Sequence, residues 1–289
     1  MDRLHVGRGT TRGALSVFPI WGEYDRPKAY TLCADTVMLS ELTDGPRVER
    51  LMALNGGERP VLFLEGQLLE GGWQNRMLCR SVLVPARTRL PLEVACVEAH
   101  RWNGTDRHQL SGRRASMRVR NTSGSTPASQ TQHEVWQRIS EYDAQFGVNE
   151  TSSLTEHTVR ATKAVDELVD RIEPLPGQTG VLIGISGQPV MLEAFDSPTT
   201  LRHQFRSIVR AAGLDALDQR PEPTPARRAF RFVDRATLVS AAPTAPAGAG
   251  TTVHGRSQYA VVTGLAWRRH LVHLSVINPR HTLNAARIA

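Results

Sequence analysis

The chain has 289 residues, a formal charge of +7 and three cysteines. Such a length buries roughly three quarters of the unfolded surface, and Cys33, Cys79 and Cys96 offer neither a short-spaced pair nor enough partners for a disulfide framework or a cysteine zinc site. Residues 1–13 are polar, and no later stretch is continuously apolar over the ~20 residues a bilayer requires, so a cytoplasmic protein without a membrane span is expected. The basic balance suggests nucleic acid or phosphorylated ligands. Its makeup weakens that reading, because Lys28 and Lys163 are the only lysines and acidic residues are interspersed among the arginines.

From residue 14 to 120 the pattern is strand-rich and predicts a sandwich or barrel-like sheet. Short apolar runs over 14–20, 61–64, 77–84 and 90–97 are separated by Gly71-Gly72 and by Pro85-Ala86-Arg87. In the last of these runs, period two puts Leu90, Leu92, Val94, Cys96 and Glu98 on one face, an apolar row ending in a carboxylate. The polar stretch 103–130, with Arg107, Arg113, Arg114, Arg118 and Arg120, reads as a long loop or a poorly paired edge.

An α+β half follows over 131–278. Thr131 with Glu134 forms a capping box for a helix ending near Gly147, and Ser153 with Glu156 caps a second over 154–172. A hairpin over 181–195 turns through Ser186-Gly187-Gln188, and Ser197-Pro198 starts a third helix. Proline- and alanine-rich stretches 218–228 and 241–250 read as surface loops. A closing hairpin over 259–277 turns at Arg268-Arg269. The expected architecture is a single α+β domain over 14–278, with tails at 1–13 and 279–289.

Two polar clusters interrupt the apolar β region. In the first, Gly71-Gly72 allows close backbone approach, while Gln74, Asn75 and Arg76 bring amide and guanidinium donors that suit phosphate, ribose or a base edge. The structural alternative is a glycine bulge whose polar neighbours satisfy buried backbone groups. In the second, a core strand runs out at Cys96, Glu98, His100, Arg101 and Trp102. Glu98, partly desolvated, would have a raised pKa and act as general acid or base, and Trp102 would stack on a base or sugar. The competing readings are a Glu98 ion pair with Arg76 or Arg101, a packing tryptophan and a small core cysteine. His100, His108 and His133 show no metal-ligand spacing, and His273 reads as a hydrogen-bonded strand histidine.

The motifs Val17-Phe18-Pro19-Ile20-Trp21-Gly22, Glu70 to Arg76, and Cys96 to Trp102 resemble those of the ARG and Rhodanese-Phosphatase-superfamily-associated Protein family. The order His133-Glu134-Val135-Trp136, Gly180 to Phe195 and Val272-His273-Leu274-Ser275 fits as well, so the resemblance spans nearly all of 14–278. The chain departs from the pattern at Gln67, where an acidic residue is common, and at Trp73, where a polar one is usual. The family's name implies association with ADP-ribosylglycohydrolases and rhodanese-phosphatases, hence ADP-ribose or NAD-linked metabolism. The leading expectation is a protein that binds or processes an ADP-ribose-like or other nucleotide-derived small molecule. Gln74, Asn75, Arg76 and Arg101 would bind it, Glu98 would handle a proton and Trp102 would stack. The alternative is a non-catalytic β-rich module that assists a partner enzyme; nucleic-acid binding through 107–120 ranks last.

Overall fold

The computed structural model describes residues 4–22, 29–32, 34–120 and 128–284, with backbone alone for 128–131. Cys33 and the terminal residues 285–289 therefore lie outside the described residues, as does the side chain of Thr131. The chain is α+β and strand-rich. It falls into two compact units, a sheet unit of Met1–Lys28 with Ala164–Ala289 and a barrel unit of Ala29–Lys163.

The first three strands, β1 (His5–Val6), β2 (Thr10–Arg12) and β3 (Leu15–Trp21), belong to the sheet unit. This differs from the expected split, in which residues from 14 onward joined the β-rich half. The partner of β3 is set by a register spanning more than 150 residues, Leu15 opposite Ile185 through Ile20 opposite Gly180, and local periodicity carries no record of such pairing.

The barrel unit contains β4 (Val37–Ser40), β5 (Arg50–Asn55), β6 (Val61–Phe63), β7 (Gln67–Gly71), β8 (Arg76–Leu78), β9 (Val82–Val84), β10 (Thr88–Cys96) and β11 (Arg107–Arg114). Six of them close in the order β10, β5, β4, β11, β7, β8, while β6 and β9 form a two-stranded ribbon. Closure removes the exposed edges that a small sheet would otherwise present. The segment expected as a loop or weak edge is thus strand β11, paired to β4 and β7. Its polar sequence concealed it, as did a register shift after Leu110, where Gly112 takes φ 71°.

Among the described residues this unit also holds helices α1 (Met117–Arg120), α2 (Ala128–Ser140), α3 (Asp143–Phe146) and α4 (Leu154–Arg160). The predicted helix over 154–172 starts as expected, with the Ser153 hydroxyl accepting the Glu156 N–H at 3.4 Å, but breaks at Ala161 before α5 (Thr162–Leu168). Thr158 and Thr162 donate their hydroxyls to the carbonyls of Leu154 and Thr158 at 2.9 and 3.0 Å, back-bonding that bends a helix.

The sheet unit is completed by β12 (Gly180–Ile185), β13 (Gln188–Phe195), α6 (Pro198–Ala216), α7 (Ala226–Thr237), β14 (Ala242–Ala247), β15 (Gly250–Arg256), β16 (Val261–Trp267) and β17 (His270–Ile277). The antiparallel order is β1, β3, β12, β13, β17, β16, β15, β14, with β2 also on β3. Both predicted hairpins form with two-residue turns of positive φ, 46° and 77° at Ser186-Gly187 and 50° and 70° at Arg268-Arg269, matching the twist of the flanking strands. Ser197 caps α6 through the Thr199 N–H. Of the two expected loops, 218–225 carries no helix or strand, whereas 226–228 open α7 and 241–250 is largely strand. Helix α7 buries Ala229, Phe232, Val233 and Ala236 at helical spacing, and the Ala/Pro-rich stretch supplies β14, an edge strand where Pro243 and Pro246 need no ladder partner on their open side. The sheet core joins Phe18, Ile20, Leu182, Leu192, Leu274 and Val276 to Phe232 and Val233 of α7. Among the described residues no helix is long and apolar enough to cross a membrane.

Candidate functional site at the barrel mouth

Strand register gathers the polar residues of the barrel at one end. Arg76 opposes Cys96, two positions along from the pair Leu78 and Val94; Leu39 opposes both Ala53 and His108; Leu69 opposes Arg76 and Leu110. Period two then puts Arg76, Cys96, His108 and Glu41, the latter two residues beyond Leu39, on the same buried face as Leu39, Leu51, Ala53, Leu92 and Val94. All four sit where β4 and β10 end and β8 and β11 begin. A buried apolar face therefore terminates in a polar ring, and the mouths of small barrels are a common place for ligand sites.

Arg76 is the center of this ring and is fully buried. Its Nη1 donates to Gln74 Oε1 at 2.9 Å, whereas Nε and Nη2 meet no hydrogen-bond acceptor. Burial lowers its pKa, while the neighbouring Cys96 and Glu41 act to raise it. Glu41 accepts from His108 Nε2 at 3.0 Å and from the Trp73 N–H at 3.3 Å through Oε1. Burial pushes Glu41 up, but the His108 and Trp73 hydrogen bonds and the charge of Arg76 outweigh it, and its pKa falls below the ordinary value of 4.5. Glu41 Oε2 and His108 Nδ1, like the two Arg76 nitrogens, are buried and unpartnered.

The glycine pair is explained by His108. Gly72 takes φ 55°, and a Cβ there would lie 1.9 Å from His108 Nε2, while a Cβ on Gly71 would meet the Arg107 carbonyl at 2.8 Å. Only glycine lets the β7–β8 turn close over β11 and the imidazole.

Above the ring, Glu98 is held on three sides. Its Oε2 accepts the Asn75 N–H at 3.0 Å and the Arg101 Nε at 2.9 Å, and its Oε1 accepts the Thr151 hydroxyl at 3.0 Å. Burial raises its pKa, but these bonds and the Arg101 charge outweigh it and the net shift is downward. The rise expected for a proton-handling Glu98 is thus reversed, because partial desolvation came with an ion pair that favours the carboxylate. Arg101 also donates to the Gly71, Gly72 and Asn103 carbonyls, pinning the 98–104 loop onto the glycine turn.

The structure thus brings all six sequence-derived residues together at one end of the barrel, with unequal freedom. Gln74 bridges the Glu98 carbonyl and Arg76, and the Asn75 side chain accepts from Gly71 and Arg101. Trp102 is 46% exposed; its ring packs edge-on against Trp73 with centroids 5.5 Å apart and lies 5.9 Å from the Arg76 guanidinium carbon. Cys96 is a core thiol that donates to the Glu98 carbonyl and whose pKa burial pushes up.

Glu41 goes unmarked in the sequence, and His108 enters it only as a histidine without metal-ligand spacing. The signal is present, since Val37, Leu39 and Glu41 repeat the alternation that ends in a carboxylate near Glu98, but the polar sequence of β11 reads as a loop or a poorly paired edge. Of the arginines in 107–120, Arg114, Arg118 and Arg120 are buried rather than displayed. Arg114 donates to the Glu65 carbonyl at 2.6 Å and Arg118 stacks on Tyr142. His273 is buried in β17, stacked on Phe195 and 3.5 Å from Glu193. In the sheet unit a groove of about 300 Å³ is lined by Asp166, Asp170, Arg202, Phe205 and Arg206, and none of the six residues lines it. Among the described residues no group of three or more His, Cys, Asp or Glu side chains could hold a metal ion.

A family model described as ARG and Rhodanese-Phosphatase-superfamily-associated Protein domain matches residues 3–277. The chain belongs to this family. Neither a curated protein nor a solved structure matches it. The ARG and Rhodanese-Phosphatase-superfamily-associated Protein domain spans strands of both compact units, from β1 to the last residue of β17, and so includes the barrel mouth.

Proposed function

We propose that the barrel unit binds an ADP-ribose-like or other nucleotide-derived small molecule at its mouth, with Arg76 as the anion-binding group and Trp102 as a movable stacking cover. The observation that carries this reading is Arg76 itself, a fully buried guanidinium with two unpartnered nitrogens. Leaving such groups unsatisfied costs about 1–3 kcal/mol apiece, a cost that a ligand's phosphate oxygens remove through charge-assisted hydrogen bonds. Access requires the Trp102 ring to swing off the guanidinium, and its exposed position leaves it room to do so. The family's name, with its association to ARG and rhodanese-phosphatase superfamilies, supports an ADP-ribose or NAD-linked setting.

Glu98, in this reading, orders the mouth by holding Arg101, Asn75 and Thr151 rather than moving a proton. That capture favours the second reading, a non-catalytic module that presents its ligand to a partner enzyme. Calorimetric titration with ADP-ribose, on the wild type and on Arg76→Met, tests the proposal. Binding by the wild type that the folded variant loses supports it; absence of binding to the wild type overturns it.

A further inference from the structure

The mouth holds two kinds of open polar atom, and their pairing restricts what can fill it. Arg76 Nε and Nη2 are donors; Glu41 Oε2 is an acceptor on a carboxylate whose low pKa keeps it ionised, and in the neutral tautomer that donates from Nε2 to Glu41, His108 Nδ1 is a second acceptor. Opposite charges share the buried end without the open atoms meeting one another. A plain anion satisfies Arg76 alone and sets its own charge beside Glu41. A plain cation does the reverse. A ligand that carries an anionic oxygen and hydroxyl groups side by side satisfies all four atoms.

Resting on the binding reading above, we propose that the mouth selects a sugar phosphate with a free vicinal diol. Its hydroxyls donate to Glu41 Oε2 and His108 Nδ1, and its phosphate oxygens accept from Arg76 Nε and Nη2. Glu41 orients the imidazole, Gly72 gives it room, and Glu41 and His108 thereby set specificity where Arg76 sets affinity. A site built to take hydroxyl protons discriminates against an analogue lacking the hydroxyl, because its buried acceptors are then left unpaired.

The test is calorimetric titration of the full chain with ADP-ribose, ribose 5-phosphate, 2-deoxyribose 5-phosphate and inorganic phosphate, repeated on Glu41→Gln. The wild type should bind ribose 5-phosphate at least about tenfold more tightly than the deoxy sugar and than inorganic phosphate, and Glu41→Gln should shrink the sugar ratio several-fold. Equal affinity for the two sugar phosphates, with ADP-ribose still bound, overturns diol selection and leaves the binding reading standing. No binding of ADP-ribose overturns the binding reading and this inference with it. The wild-type ratio decides the matter even where the variant fails to fold.

Discussion

The main core of the sheet unit and the mouth of the barrel unit are buried to a similar degree and built from opposite materials. In the sheet, Phe18, Ile20, Leu182, Leu192, Phe232 and Val276 make a wholly apolar cluster. At the barrel mouth, Arg76, Glu41 and His108 are equally withdrawn from water and keep polar atoms without partners. An apolar core stabilises roughly in proportion to the area it buries, whereas a buried charge is often no better than a hydrophobic group of the same volume. The difference separates what holds the chain folded from what the fold holds ready for a ligand.

Four substitutions and one titration sharpen or break that contrast. Phe232→Ala, in the sheet core, should cost about 3–5 kcal/mol in chemical denaturation and leave the ADP-ribose affinity of the folded protein unchanged; a parallel loss of affinity would erase the distinction. Gly72→Ala should cost roughly 2–4 kcal/mol, since it adds a Cβ at φ 55° and drives it into His108, and crystallography should find the imidazole displaced from Glu41.

The pH dependence follows from Glu98 and Glu41. Both have folded pKa values depressed below 4.5, so each contributes stability that is fully present above about 4.5 and is lost as the pH falls through the folded value. Denaturation midpoints of the wild type and Glu98→Gln should therefore differ most at neutral pH and converge below 4.5. A constant gap across the acid range would contradict the ion-pair assignment. Trp102→Ala should have the smallest effect on stability, under about 1 kcal/mol for a half-exposed ring, and should weaken ADP-ribose roughly tenfold by removing a stacking face.

What the sequence disclosed follows the range of the interactions concerned. Local chemistry was legible: the Ser153 and Ser197 caps, the turns at Ser186-Gly187 and Arg268-Arg269, and the convergence of Gln74, Asn75, Arg76, Arg101 and Trp102. Non-local pairing was not. Nothing near Leu15 indicates that its partner is Ile185, and nothing near Arg107 indicates that a polar segment closes a barrel against β4 and β7. Without the pairing of β11, His108 has no assigned face and Glu41 no neighbour. Glu98 was located correctly, and its burial anticipated, but its pKa depends on the Arg101, Asn75 and Thr151 hydrogen bonds. The spacing of residues along the chain could not reveal their combined strength.

The central claim is that Arg76 is kept for a ligand, and the most direct test is to measure Arg76→Met for chemical stability and ADP-ribose affinity side by side. Methionine occupies much of the guanidinium's space without its charge and deprives Glu41 and Gln74 of that neighbour, so the account predicts a folded variant of lowered stability, with binding lost. Affinity retained by the folded variant would contradict it.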